Sequence, residues 1–222
     1  MKKLIAIISI LTCFTFVFSA CNKSNSLLPH VSELRTELYQ GEGQNFSLKA
    51  GCGFKESPFV NDGKVGKTSN ALTFKLMNKE TDDATYSLAF NFNQIEYKGV
   101  FKLNPITNTV TCDIEVDNFN LKEFTVKISS GAKSEEIVLK SIVPDTAITY
   151  ATALDYLIKN QSALISHYTD SEGAFNAEIY LRILIKDNAP YWYVGIASGN
   201  EKLKALLIDG TNGEILAIRE IF

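Results

Sequence analysis

The sequence predicts an α+β chain: an N-terminal antiparallel all-β domain, either a sandwich or an open barrel, followed by a small unit of one helix packed on a four-stranded antiparallel meander. Three observations carry this. Between about Asn45 and Ile142 apolar residues alternate at period two, and no stretch of helical period interrupts them. After Pro144-Asp145 the period changes to 3.6. From Phe175 onward four apolar runs follow one another through hairpin-length connections.

The elements follow in order. Lys2 and Lys3 precede a run from Leu4 to Phe18 that is apolar except for Ser9, Thr12 and Thr15, the plan of a secretory signal. The run is shorter than the roughly 20 residues that a spanning helix needs. Phe18-Ser19-Ala20-Cys21 closes it and resembles the bacterial lipobox, in which a small pair precedes a cysteine that is acylated and becomes the mature first residue; Phe18 stands where that motif usually has Leu. The resemblance implies a signal peptide over residues 1–20, lipidation at Cys21, and anchoring of the chain in the cell membrane on its extracytoplasmic face. Several buried acyl chains anchor stably where one is marginal, at about 0.8 kcal/mol per methylene. Residues 21–40 then read as a tether. Val31, Leu34 and Leu38 inside it fall at i, i+3, i+7 and suggest a short helix.

Residues 41–142 form the predicted all-β domain, with strands at Phe46–Ala50, Leu72–Met77, Tyr86–Asn91, Ile95–Leu103, Val110–Val116, Phe124–Ile128 and Glu136–Lys140. In residues 143–222, Asp145 is placed as the cap of a helix whose apolar face is Ala147, Ile148, Ala151, Leu154, Leu157 and Ile158, ending near Asn160 with a further turn over Ala163–His167. Strands are expected at Phe175–Lys186, Tyr191–Ala197, Leu203–Asp209 and Glu214–Glu220. Both parities of this sheet are apolar, so the face away from the helix needs cover from the β domain, a second copy or a partner. A homodimer is one way to supply it.

Trp192 and Val194, then Asp209, Gly213, Glu214, Ile215 and Leu216, resemble the Trp-x-Val strand and the Asp-x-x-x-Gly-Glu-Ile/Val-Leu hairpin of the PepSY domain. The resemblance covers Asp145 to Phe222 and implies a PepSY-like, noncatalytic, protein-binding or peptidase-inhibiting role. On the residues alone, Gly213 supplies a positive φ, Asp209 bonds turn amides and Trp192 packs.

Composition narrows function further. The chain holds 22 basic and 25 acidic residues, and loss of residues 1–20 removes two lysines and no acid, leaving a mildly acidic chain without a basic block. Nucleic acid is excluded as a partner on that ground, and the bilayer contact is left to the lipid. The two histidines, His30 and His167, sit in no ligand-spaced motif, so neither a metal nor any other cofactor is indicated. Gly63-Lys64-Val65-Gly66-Lys67-Thr68 ends like a phosphate loop, but Asn61 stands where that loop requires its first Gly. With Cys13 in the signal and Cys21 lipidated, Cys52 and Cys112 remain, either as a disulfide or as two buried thiols on strands, the second being the reading preferred.

No catalytic residue is assigned. The binding candidates are Glu42, Phe54, Glu56, Phe59 and Asp62 in a glycine-rich region at one edge of the β unit, together with Trp192. The sequence therefore reads as a lipid-anchored binding module for an envelope protein, peptide or peptidase. The alternatives are an envelope hydrolase built on Asp62, Glu56 and Glu42, and a transporter-associated binding lipoprotein.

Overall fold

Strand β1 (Val31–Glu42) joins everything in the computed structural model, which describes residues 26–58, 60, 62–77, 85–105, 108–199 and 201–221. The signal-like segment, Cys21 and Phe59 lie outside the described residues. Along one side β1 pairs antiparallel with β2 (Ser47–Glu56). Its other side is shared: Val31–Arg35 pairs in parallel with β10 (Glu178–Lys186), while Tyr39 and Gln40 pair antiparallel with β9 (Lys133–Ser141). The sheet forks at that change of partner.

One branch is a nearly closed antiparallel barrel. From β2 it passes to β3 (Thr68–Leu76) and β7 (Thr109–Glu115); from β9 it passes to β8 (Glu123–Ser130), β4 (Tyr86–Phe92) and β5 (Ile95–Val100). β5 and β6 (Lys102–Asn104) flank buried Phe101, and β6 pairs with β7, so this bent stretch bridges the two sides. Barrels of about eight strands have interiors just wide enough for side chains. Here rings fill the space: Phe74, Phe90, Phe92, Phe119 and Phe124 are all buried, and Phe119 meets Phe124 edge-on at 4.8 Å between centroids.

The second branch is β10, β11 (Ala189–Ala197), β12 (Leu203–Asp209) and β13 (Ile215–Ile221), an antiparallel run that continues the same sheet outward to a free edge at β13. Helix α1 (Tyr150–Asn160) lays Ala153, Leu154 and Leu157 on one face of it, against a cluster that includes Ile183, Trp192, Val194 and Leu206. A short helix α2 (Ser162–His167) follows. Alternation along β10 sends Ile179, Leu181 and Ile183 toward this core and Glu178, Tyr180 and Arg182 to the opposite face. That second face is mixed: Leu184 and Leu207 stand on it, and there Arg182 Nε donates to Glu33 Oε1 at 2.8 Å while its guanidinium lies over the Tyr193 ring at 5.9 Å.

The predicted α+β class, an all-β domain followed by a separate PepSY-like domain of one helix on a four-stranded meander, is overturned. The molecule is mostly β, 57% strand and 11% helical, and the thirteen strands of the described residues lie in one sheet. The reason is β1. The stretch read as tether and short helix is a strand whose register shifts between Val31 and Glu33 and again between Arg35 and Glu37. Each shift inserts a residue and breaks period two, so Val31 and Leu34, opposite Ile179 and Leu181, share a face although three positions apart. The helix cap also moves. Thr149, not Asp145, caps α1, its Oγ1 accepting from Thr152 N at 3.2 Å.

Gly53 marks a close approach. A Cβ there would lie 1.8 Å from the Leu34 carbonyl oxygen, so the glycine-rich stretch read as an edge loop is strand backbone pressed against the β1 bulge.

Candidate functional site

One end of the barrel is built from turns that surround a concavity. The β4–β5 hairpin turns through Asn93 and Gln94 with φ of 50° and 65°, the two-residue geometry that matches strand twist, and Asn118 turns the chain after β7 with φ of 55°. With the first residues of β3 these turns enclose a concavity of about 650 Å³. Phe92 and Val116 form its buried floor, and Ile95, 56% exposed, stands at its rim. Tyr97 reaches in from β5 with its ring stacked on Phe90, 5.3 Å between centroids and 13° from parallel. Asn70, Asn93 and Asn118 add amides, Thr68 and Ser69 hydroxyls, and Glu115 and Asp117 negative charge. Asn70 Nδ2 donates to Asp117 Oδ1 at 2.9 Å. These groups offer hydrogen bonds and ring contact; among the described residues none is paired with a base that would make it a nucleophile.

Two smaller hollows lie where the sheet forks. One, of about 360 Å³, runs between Glu37 and Lys122 on the barrel side and Ile148 and Trp192 on the other. Glu37 is held there by Lys122 Nζ at 2.5 Å and Ser141 Oγ at 2.7 Å. The other, about 220 Å³, lies over Gly51, Gly53 and Ala71 between Arg35 and Lys55.

A third arrangement is buried. The connection from β2 to β3 folds down so that Gly66 N donates to Glu56 Oε1 at 2.5 Å and Gly63 N to Glu178 Oε1 at 3.3 Å. Glu56 is 6% exposed and Glu178 fully buried. Neither Oε2 has a hydrogen-bond partner among the described residues. Burial first, then the charges of Glu178 and Glu56, push the Tyr180 phenol far above its ordinary pKa.

No family model, curated protein or solved structure matches the chain. Its site must be read from its own geometry. No group of three or more His, Cys, Asp or Glu side chains converges among the described residues, and no helix there is long and apolar enough to cross a membrane.

The predicted binding residues scatter. Glu42 is exposed at one end of β1, opposite Ser47, while Glu56 ends β2 nine residues later, about 30 Å away at roughly 3.3 Å per residue. Asp62 is exposed and accepts from Lys64 N at 2.9 Å in a local turn. Glu42, Glu56 and Asp62 are thus not brought together as the hydrolase alternative requires. Phe54 packs against the core beneath α1. Trp192 is 2% exposed and donates its Nε1 hydrogen to the Ile148 carbonyl at 3.0 Å, a packing role.

Cys52 and Cys112 are free thiols, each pushed up to about 11, by burial first and then by the nearby charges of Glu37 and Asp113 respectively. His30 meets Phe175 edge-on, and burial lowers its pKa; His167 lies 3.1 Å from Glu201.

Sequence reasoning missed the mouth and Glu178. The mouth residues come from three separate segments of ordinary turn composition. Glu178 had a signal, a carboxylate inside the apolar run Phe175–Ile185, but its neighbours Ala177 and Ile179 masked it.

Proposed function

We propose that this chain is a lipid-anchored, extracytoplasmic binding module, noncatalytic, whose barrel mouth takes a polar segment of an envelope protein or peptide. The mouth carries the reading: about 650 Å³ falls within the range of sites that bury a ligand, and it sits on turns held by a ring-packed barrel. Asparagine amides offer a donor and an acceptor each, matching a peptide backbone. Ile95 and Tyr97 give apolar contact, and Glu115 and Asp117 favour a segment bearing Lys or Arg. Phe18-Ser19-Ala20-Cys21 supports the anchor, with acylated Cys21 as the bilayer contact.

The test places a photo-crosslinking side chain at Ile95 in the full chain expressed in its own envelope, with Val138 on the outer barrel wall as the control position. A discrete adduct from position 95 that is absent from 138, and is competed by a Lys-bearing peptide, is the expected result. Equal labelling from both positions, or none from 95, refutes binding at the mouth. A Cys21→Ala chain is expected in the soluble fraction; its retention in the membrane refutes the anchor.

A further inference from the structure

The seam between the barrel and its extension holds two carboxyl side chains that binding at the mouth does not use. Glu56 ends a barrel strand and Glu178 begins the first strand of the extension. Both side chains are more than nine-tenths buried. A buried carboxylate is ordinarily paired with a cation or saturated with donors. Each of these accepts one backbone N–H; Glu178 has the Tyr180 phenol as its further neighbour, and Glu56 keeps an Oε2 that no donor among the described residues reaches. Among the described residues neither has an ion pair.

One connection and one ring link the two carboxylates. Gly66 N reaches Glu56 and Gly63 N, three residues earlier, reaches Glu178, while the Tyr180 phenol feels both charges. Ser32, buried at the bulge of β1, hydrogen-bonds that phenol. We propose that Glu56 and Glu178 clasp a hard divalent cation of calcium size beneath the 62–67 connection. The side-chain groups on offer are all oxygen, the carboxylates of Glu56 and Glu178 and the hydroxyls of Tyr180 and Ser32. Calcium accepts six to eight such oxygens in flexible geometry and completes its shell with water, whereas zinc favours nitrogen and sulfur. Because its two carboxylates belong to the two branches of the sheet, the ion ties barrel and extension together at the end opposite Glu42.

The test uses the full chain purified in detergent and stripped with a chelator. Added calcium is expected to raise the melting temperature saturably, as any ligand of the folded state alone does. Terbium in its place should luminesce on tyrosine excitation and be displaced by calcium. Glu178→Gln and Glu56→Gln should each weaken calcium binding at least about tenfold, and Tyr180→Phe should remove most of the terbium signal while the calcium response persists. An unchanged melting temperature on adding calcium overturns the proposal. So does a calcium response as strong in both glutamine variants as in the parent chain. If Glu178→Gln fails to fold, the parent titration and Glu56→Gln decide by the same criteria.

Discussion

If one sheet runs through the whole molecule, damage deep in the barrel must be felt at the far side of the extension. Leu88 on β4 tests this. It is 2% exposed, and its strand lies on the barrel wall away from β10. Leu88→Ala removes three buried carbons and leaves a cavity among rings that collapse poorly, a loss of about 3 kcal/mol within the usual range of 2 to 5. With a urea slope of about 3 kcal/mol per molar for a chain of this size, the midpoint falls by about 1 M. Trp192 is the only tryptophan and sits in the extension, so its fluorescence reports that branch alone. Far-UV circular dichroism reports the sheet as a whole. Both transitions should move by the same 1 M and remain superimposed. A Trp192 transition that stays within about 0.1 M of the parent value while the dichroism shifts would mean two independently folding units, and would refute the shared-strand account.

Further outcomes follow from single contacts. Gly213→Ala should destabilise by more than about 1 kcal/mol, because φ is 79° and the new Cβ would fall 2.1 Å from Tyr156 Cδ2 on α1; urea titration by Trp192 fluorescence reads it. In a Cys21→Ala chain, Cys52 and Cys112 at about 11 are roughly one part in a thousand thiolate at pH 8, so disulfide-exchange labelling should be slow until unfolding exposes them. Their folded values lie above the unfolded ones, so the stability they contribute is complete below the ordinary thiol pKa and is lost as pH rises toward 11. Glu135 has the opposite sign. Asn45 N, at 2.9 Å, and Gln44 N hold its carboxylate below the ordinary carboxyl pKa, so its contribution is complete above that value and disappears as pH falls through the folded one. Glu135→Gln should therefore melt lower than the parent at pH 7 and lose less on acidification to pH 3.

Most strands were legible because half-buried strands alternate, and the run Leu72, Phe74, Leu76 on β3 lies with its predicted parity inward. The turn at Asp209 was legible too: its Oδ1 accepts from Thr211 N at 2.7 Å and from Asn212 N at 3.2 Å, as an aspartate before a tight turn should. What failed was the joining of elements. Two bulges in β1 produced a helix-like spacing in Val31, Leu34 and Leu38 and concealed the one strand that belongs to both branches. Gly51 and Gly53 read as loop because glycine weakens strands, yet they let Arg35 and the Leu34 carbonyl cross β2 closely. The mouth was not legible, since Asn70, Asn93 and Asn118 become neighbours only when the barrel closes.

The position of β1 also orders the candidate sites. Its C-terminal half closes the barrel through β9, and its N-terminal half carries the extension through β10; Glu37 sits at the change, held from the barrel side by Lys122 and Ser141. The unpartnered carboxylates Glu56 and Glu178 lie at the opposite end of the parallel β1–β10 contact, near Ser32. The contact between the branches is thus bounded at one end by a satisfied carboxylate and at the other by two unsatisfied ones. Satisfied polar groups fix a junction, while unsatisfied buried charge weakens it until a counter-charge arrives. An ion at Glu56 and Glu178 would complete the junction at its open end, and its absence would leave the 62–67 connection and the start of β10 as the first parts of the sheet to separate.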